Sequence, residues 1–113
     1  IKEDFNSFLQ NAKKEGKKVV GYGAAAKGNT LMNFAGVDSD LISYVIDRNP
    51  AKRNKFLPGS KIPVVSEDRL KSDRPKYIVI FPWNLKEEIV EQLSYIREWN
   101  GKFLTSVPRL KVE

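Results

Sequence analysis

Apolar positions along the chain follow two periods that alternate. Phe5, Phe8, Leu9 and Ala12 stand at i, i+3, i+4 and i+7, one face of an amphipathic helix. Lys13 and Lys14 fall in its last turn, and Gly16 marks its end. Lys17-Lys18-Val19-Val20-Gly21-Tyr22 then reads as a short buried strand. From about position 26 to 35 the spacing of Leu31, Phe34 and Ala35 is helical again, with Gly36 as the stop. Leu41-Ile42-Ser43-Tyr44-Val45-Ile46 is a second strand, closed by Asp47. A connection rich in charge, Pro and Gly follows over positions 47–61, and Ile62-Pro63-Val64-Val65 is a third extended piece. Ser66 is placed to cap a short helix whose first turn holds Glu67 and Asp68.

The second half repeats the alternation. Tyr77-Ile78-Val79-Ile80-Phe81 is an unbroken apolar run, the pattern of a central strand covered on both faces. Asn84 with Glu87 three positions on predicts a helix cap, and Leu85, Ile89, Leu93 and Ile96 continue an apolar stripe. Gly101-Lys102-Phe103-Leu104-Thr105 reads as a strand, and Leu110-Lys111-Val112 as a last one. Strands and helices alternating at this spacing predict parallel βαβ units. The expected fold is α/β: a Rossmann-like three-layer sandwich, a mostly parallel sheet with helices on both faces.

Length and composition narrow the chemistry. The 113 residues are one domain's length, so positions 1–113 are expected to form a single domain with a core of its own. There is no cysteine and no histidine. Disulfides, thiol nucleophiles, His-based zinc sites and Ser-His-Asp catalysis are therefore excluded from these residues. No run approaches the roughly twenty apolar residues of a membrane helix, and no signal peptide is visible, so a cytoplasmic chain without a membrane partner is expected. The chain starts at Ile1 rather than Met, as expected of a domain excised from something longer. The net charge is +6, spread as +4 over positions 1–60 and +2 over 61–113. The basic runs are short and interrupted, the pattern of a solvated surface, and no basic stripe with interleaved aromatics points to nucleic acid.

The richest segment is Gly21-Tyr22-Gly23-Ala24-Ala25-Ala26-Lys27-Gly28, between the first strand and the next helix. Gly21, Gly23 and Ala26 fit G-x-G-x-x-G/A, in which the first glycine permits a tight turn and the second lets backbone approach a diphosphate; the third small residue lets the helix pack closely on the strand. Orphan N–H groups at the helix start favour an anion. Asp47 lies 21 positions beyond Ala26, at the end of the second strand, where an acidic residue holds a ribose hydroxyl. A purely structural turn, with Asp47 capping a loop, remains the competing reading. Lys27 in a first helical turn opposes the dipole by about 0.3–1 kcal/mol, which calls for a bound anion or exposure to water. The segment is not a P-loop, because Gly-Lys-Ser/Thr is absent; Ala26-Lys27-Gly28 leads to Asn29 and Thr30 instead. Two further candidates leave strand ends: the basic 47–61 connection, long enough to be functional or simply a solvated loop, and Pro82-Trp83-Asn84. Trp83 either stacks on a base or sugar or packs in an interface.

These residues together resemble a known family. Gly21 through Leu31, then Tyr44-Val45-Ile46-Asp47-Arg48-Asn49-Pro50 with Lys52, then Leu57-Pro58-Gly59 and Ile62-Pro63-Val64, are similar to the C-terminal domain of the sugar C-methyltransferases. Such enzymes use S-adenosylmethionine to methylate a carbon of a nucleotide-linked keto sugar. The resemblance implies a substrate-binding role for this domain, with the methyl donor on a preceding methyltransferase domain of the same chain and no cofactor here. The substrate-binding residues it implies are Gly21, Tyr22, Gly23, Ala24, Ala25, Lys27, Gly28, Asn29, Thr30, Asp47, Arg48, Asn49, Gly59, Trp83 and Asn84.

Carbon methylation needs a base beside the keto group, and a histidine-free domain is a poor place for one. Only lysines, Tyr22 or Tyr44 are available, and the expectation is that the base lies elsewhere. Two other readings compete: a self-contained NAD or coenzyme domain using the same turn, and a protein-interaction module whose glycine turn is only structural.

Overall fold

The computed structural model describes residues 2–23, 40–47, 55–56, 62–81, 85–105 and 111–112. Among these residues seven strands form one sheet: β1 (Val19–Tyr22), β2 (Val45–Ile46), β3 (Lys55–Phe56), β4 (Pro63–Val65), β5 (Tyr77–Ile80), β6 (Lys102–Thr105) and β7 (Lys111–Val112). Their order is β3-β4-β2-β1-β5-β6-β7. The five central strands are parallel, with Tyr22 beside Ile46 on one flank of β1 and beside Ile80 on the other. β3 and β7 close the two edges antiparallel to their neighbours. The chain therefore winds outward from β1 through β2 to β4, then returns to the other flank of β1 as β5 and continues to β6. This is the doubly wound order of the Rossmann-like α/β fold, and its switch point lies between the carboxyl ends of β1 and β5.

Alternation along the strands separates the core into two layers. On one face Val19, Val45, Val64, Val79, Phe81 and Leu104 pack against Phe5, Leu9 and Ala12 of helix α1 (Lys2–Lys14). Phe8, half-buried on the same helix, meets the Tyr77 ring edge-on at 4.8 Å. The other face carries Val20, Ile46, Ile78, Ile80 and Phe103. It packs against Leu70 of α2 (Asp68–Asp73), Ile89 of α3 (Lys86–Gln92), Leu93, and Ile96 of the 3-10 helix Ser94–Trp99. Helices on both faces of a mostly parallel sheet are what the alternating periods predicted.

Turn chemistry fixes where the helices stop. Gly16, at φ +72°, donates its N–H to the Lys13 carbonyl while Lys17 donates to Ala12, so the left-handed residue closes α1 with two reverse bonds. Asn100, at φ +60°, ends the 3-10 helix in the same way through its own N–H to Arg97 and that of Gly101 to Ile96.

Four expectations are corrected. α3 begins at Lys86 with Leu85 in the cap position, and Asn84, the expected cap, lies outside the described residues. The stripe from Leu85 to Ile96 is not one helix. α3 stops at Leu93 and the tighter 3-10 helix carries Ile96 inward, leaving Leu85 exposed. α2 starts at Asp68 with Glu67, not Ser66, in the cap position. The 47–61 connection is not wholly irregular, since Lys55 and Phe56 pair with Val64 and Pro63. The helix expected near 26–35 lies outside the described residues. Among the described residues no helix is long and apolar enough to cross a membrane.

Candidate functional site at the switch point

Gly23 leaves β1 at φ +89°, a backbone conformation that residues with a Cβ rarely adopt. Its N–H donates to the Ile46 carbonyl at 2.8 Å, which pins the start of the turn to β2. Asp47 is the next residue after Ile46 on that neighbouring strand. Its own N–H donates to Val65 at 3.2 Å, and the residue is half-buried. The glycine turn and the acidic residue, 24 positions apart, thus leave adjacent parallel strands at the same end of the sheet. Carboxyl ends of strands beside a switch point are where open α/β sheets bind ligands.

Gly21 has a different part from the one its place in the motif implied. It lies inside β1, before the turn, and a Cβ there would sit 2.5 Å from Phe81 Cε2 and 3.2 Å from Val45 Cγ2. The missing side chain makes room for the Phe81 ring, and Gly23 makes the turn. Phe81 follows β5 across the switch point, and its N–H donates to the Tyr22 carbonyl at 3.2 Å. Tyr22 faces the opposite layer, where its hydroxyl accepts a hydrogen bond from Gln92 Nε2 of α3 at 2.9 Å. Phe81 and Gln92 were not singled out from the sequence. The one signal for Gln92 is a polar residue three positions after Ile89 and four before Ile96, on the buried stripe.

Of the residues expected to bind substrate, the structure places Gly23 and Asp47 at this rim and Tyr22 at the end of β1 just before it, while Gly21 is buried inside the strand. Ala24, Ala25, Lys27, Gly28, Asn29, Thr30, Arg48, Asn49, Gly59, Trp83 and Asn84 lie outside the described residues. Three of the segments that hold them continue directly from the rim: 24–30 from Gly23, 48–49 from Asp47, and 83–84 from Phe81 by way of residue 82.

Tyr44, one of the two tyrosines considered as a base, sits at the opposite, amino end of the sheet and is buried. Burial first, and then the Asp73 carboxylate, pushes its phenol well above the ordinary value, so it does not ionise to serve as a base. Asp73 takes Lys18 Nζ at 3.0 Å through Oδ1. Its Oδ2 and the Tyr44 hydroxyl are buried without a bond of hydrogen-bond length, although each influences the other's charge. Arg69 lies over the Tyr44 ring at 5.2 Å. The cluster ties α2 to the bottom of β1 and is remote from the rim.

The chain is 30% identical over 112 residues to the C-methyltransferase NovU of Streptomyces niveus, an alignment that covers 99% of this chain and 27% of that protein. The chain therefore spans about a quarter of the relative's length. Residues 1–108 match the C-methyltransferase C-terminal domain family. With a Rossmann-like sheet, a glycine turn at its switch point and an acidic end on the strand beside it, the chain, matched over almost its full length, belongs to the C-methyltransferase C-terminal domain family.

Proposed function

We propose that this chain is the substrate-binding C-terminal domain of an S-adenosylmethionine-dependent C-methyltransferase that acts on a nucleotide-linked keto sugar of the dTDP type. The observation that carries the reading is the Gly23 turn, at φ +89°, which opens at the switch point with Asp47 at the end of the neighbouring strand β2. Backbone amides of the turn and Lys27 would meet the diphosphate, Asp47 a ribose or sugar hydroxyl, and Trp83 a base or sugar face. Arg48, Asn49, Gly59 and Asn84 complete the proposed set. The methyl donor and the base belong to other parts of the enzyme in this reading. A chain of charge +6 suits a diphosphate better than S-adenosylmethionine, which carries a sulfonium cation and no phosphate.

Thermal unfolding with dTDP, UDP, NAD and S-adenosylmethionine in parallel tests it. A ligand at a hundred times its dissociation constant adds about 2.7 kcal/mol, a shift of several degrees for a domain this size. Stabilisation by a nucleoside diphosphate alone is expected. Stabilisation by NAD alone replaces the reading with a coenzyme domain, and silence from all four favours an interaction module or a site completed only by other domains. Lys27→Ala is expected to weaken dTDP binding with the melting temperature unchanged; equal affinity removes Lys27 from the site.

A further inference from the structure

We propose that Gln92 is a positioning residue for the glycine turn, acting through Tyr22. Resting on the ligand reading above, the proposal adds a residue on α3 that touches no ligand and sets how well the turn meets one. Among the described residues, three of the ties at the end of β1 bear on the turn. The Tyr22 carbonyl takes the Phe81 N–H, and the Gly23 N–H reaches Ile46. The Tyr22 hydroxyl takes Gln92 Nε2 at 2.9 Å. The first two are backbone bonds between neighbouring strands, whereas the third joins the strand end to a helix and is made by side chains alone.

The position of Gln92 argues that the tie is more than incidental. It lies on the stripe of α3 and the following 3-10 helix whose other members, Ile89, Leu93 and Ile96, are buried against the sheet. Placing a half-buried amide on such a face is unfavourable unless it is hydrogen-bonded, so an apolar side chain would serve packing better there. What the amide adds is direction: it fixes the Tyr22 ring, and the residue after that ring is the one whose φ of +89° opens the turn.

The test uses the 113-residue chain with Gln92→Leu, Tyr22→Phe, the double variant and Gln92→Glu. It reads melting temperature, amide exchange by NMR, and dTDP affinity. Gln92→Leu is expected to speed exchange at the Gly23 amide while Val20 and Ile78 keep wild-type rates, and to weaken dTDP binding on the order of fivefold. Tyr22→Phe should match it, and the double variant should be no worse than either. Gln92→Glu lets the hydroxyl donate to a carboxylate instead and should restore Gly23 exchange; it is read on exchange alone, because its charge would disturb an anion. Wild-type Gly23 exchange in Gln92→Leu, acceleration spread evenly over all amides, or unchanged affinity in a chain that binds dTDP would each overturn the proposal. If the wild-type chain ignores dTDP, this chain alone does not make the ligand site, and the exchange data still decide whether Gln92 positions the turn.

Discussion

Gly21→Ala adds one methyl where the sheet has no room for it. The new Cβ would lie 2.5 Å from Phe81 Cε2, against an ordinary contact of 3.4–4 Å, so the ring must retreat by about 1 Å. Val45 Cγ2, at 3.2 Å, must give by a few tenths more. Neither can move into solvent, because Phe81 and Val45 belong to the buried layer under α1. Overpacking of this kind costs about 1–3 kcal/mol. Replacing glycine returns about 0.4–1 kcal/mol by restricting the unfolded chain. The expected net loss is about 1–2 kcal/mol, which lowers the melting temperature by roughly 5–10 °C at this size. Urea unfolding followed by tryptophan fluorescence measures it. Phe81→Leu supplies the second arm: shortening the ring should relieve the clash, so the double variant is more stable than the two single losses add up to. A Gly21→Ala chain as stable as wild type, or a strictly additive double variant, would refute the claim that Gly21 exists to seat Phe81. Because Phe81 directly precedes residues 82–84, the same substitution is expected to weaken any ligand held there.

Gly16→Ala provides a contrast, because a Cβ at φ +72° meets nothing within 4 Å; its cost is backbone alone, roughly 1 kcal/mol, and Gly16→Asn should cost less. A loss as large as that of Gly21→Ala in chemical unfolding would contradict this. Burial by itself would raise the Asp73 carboxyl, but the Lys18 ammonium and the Tyr44 hydroxyl outweigh it and, with the Arg69 charge, hold it below its ordinary value of 3.8. A lowered folded value means the contribution is full above the ordinary value and disappears as pH falls through the lowered one. Asp73→Asn should therefore cost less than about 1 kcal/mol near neutral pH, with the gap to wild type closing in acid; a gap that stays constant down to about pH 2 would rule the pair out. Trp99 Nε1 donates to the Pro75 carbonyl at 2.9 Å, so Trp99→Phe should lower stability by about 1 kcal/mol, read as an earlier urea midpoint. An unmoved midpoint would show that the bond is not felt.

Local period made much of this fold legible. The four apolar residues of α1 and the stop at Gly16 define that helix because its buried face and its left-handed terminus are both written within fifteen residues. The run from Tyr77 to Phe81 betrays β5 because a strand covered on both faces has no polar side to alternate with. β3 left no such trace. Two residues in a basic connection become a strand only through their ladder to β4, and a ladder has no period. The break at Leu93 is hidden for a similar reason, since 3.6-residue and 3-residue helices place Ile96 on nearly the same side over so short a span. At the candidate site Gly23 and Asp47 were readable from spacing. Gly21 was read as part of the turn because a motif records which residue is small and not what fills the space beside it. Phe81 and Gln92 act across 60 and 70 positions, on Gly21 and Tyr22, and only the folded chain brings them there.

Among the described residues, both margins of the sheet are two-residue strands that run against the grain of the parallel strands and contain a lysine: Lys55 beside Phe56, and Lys111 beside Val112. Margins that carry a lysine make poor partners for a passing strand. A sheet finished in this way is a poor template for its own copies, which guards a parallel core of Val, Ile and Phe against growing into a fibre. It also directs any association toward the helical faces and the rim, where side chains rather than backbone choose the partner.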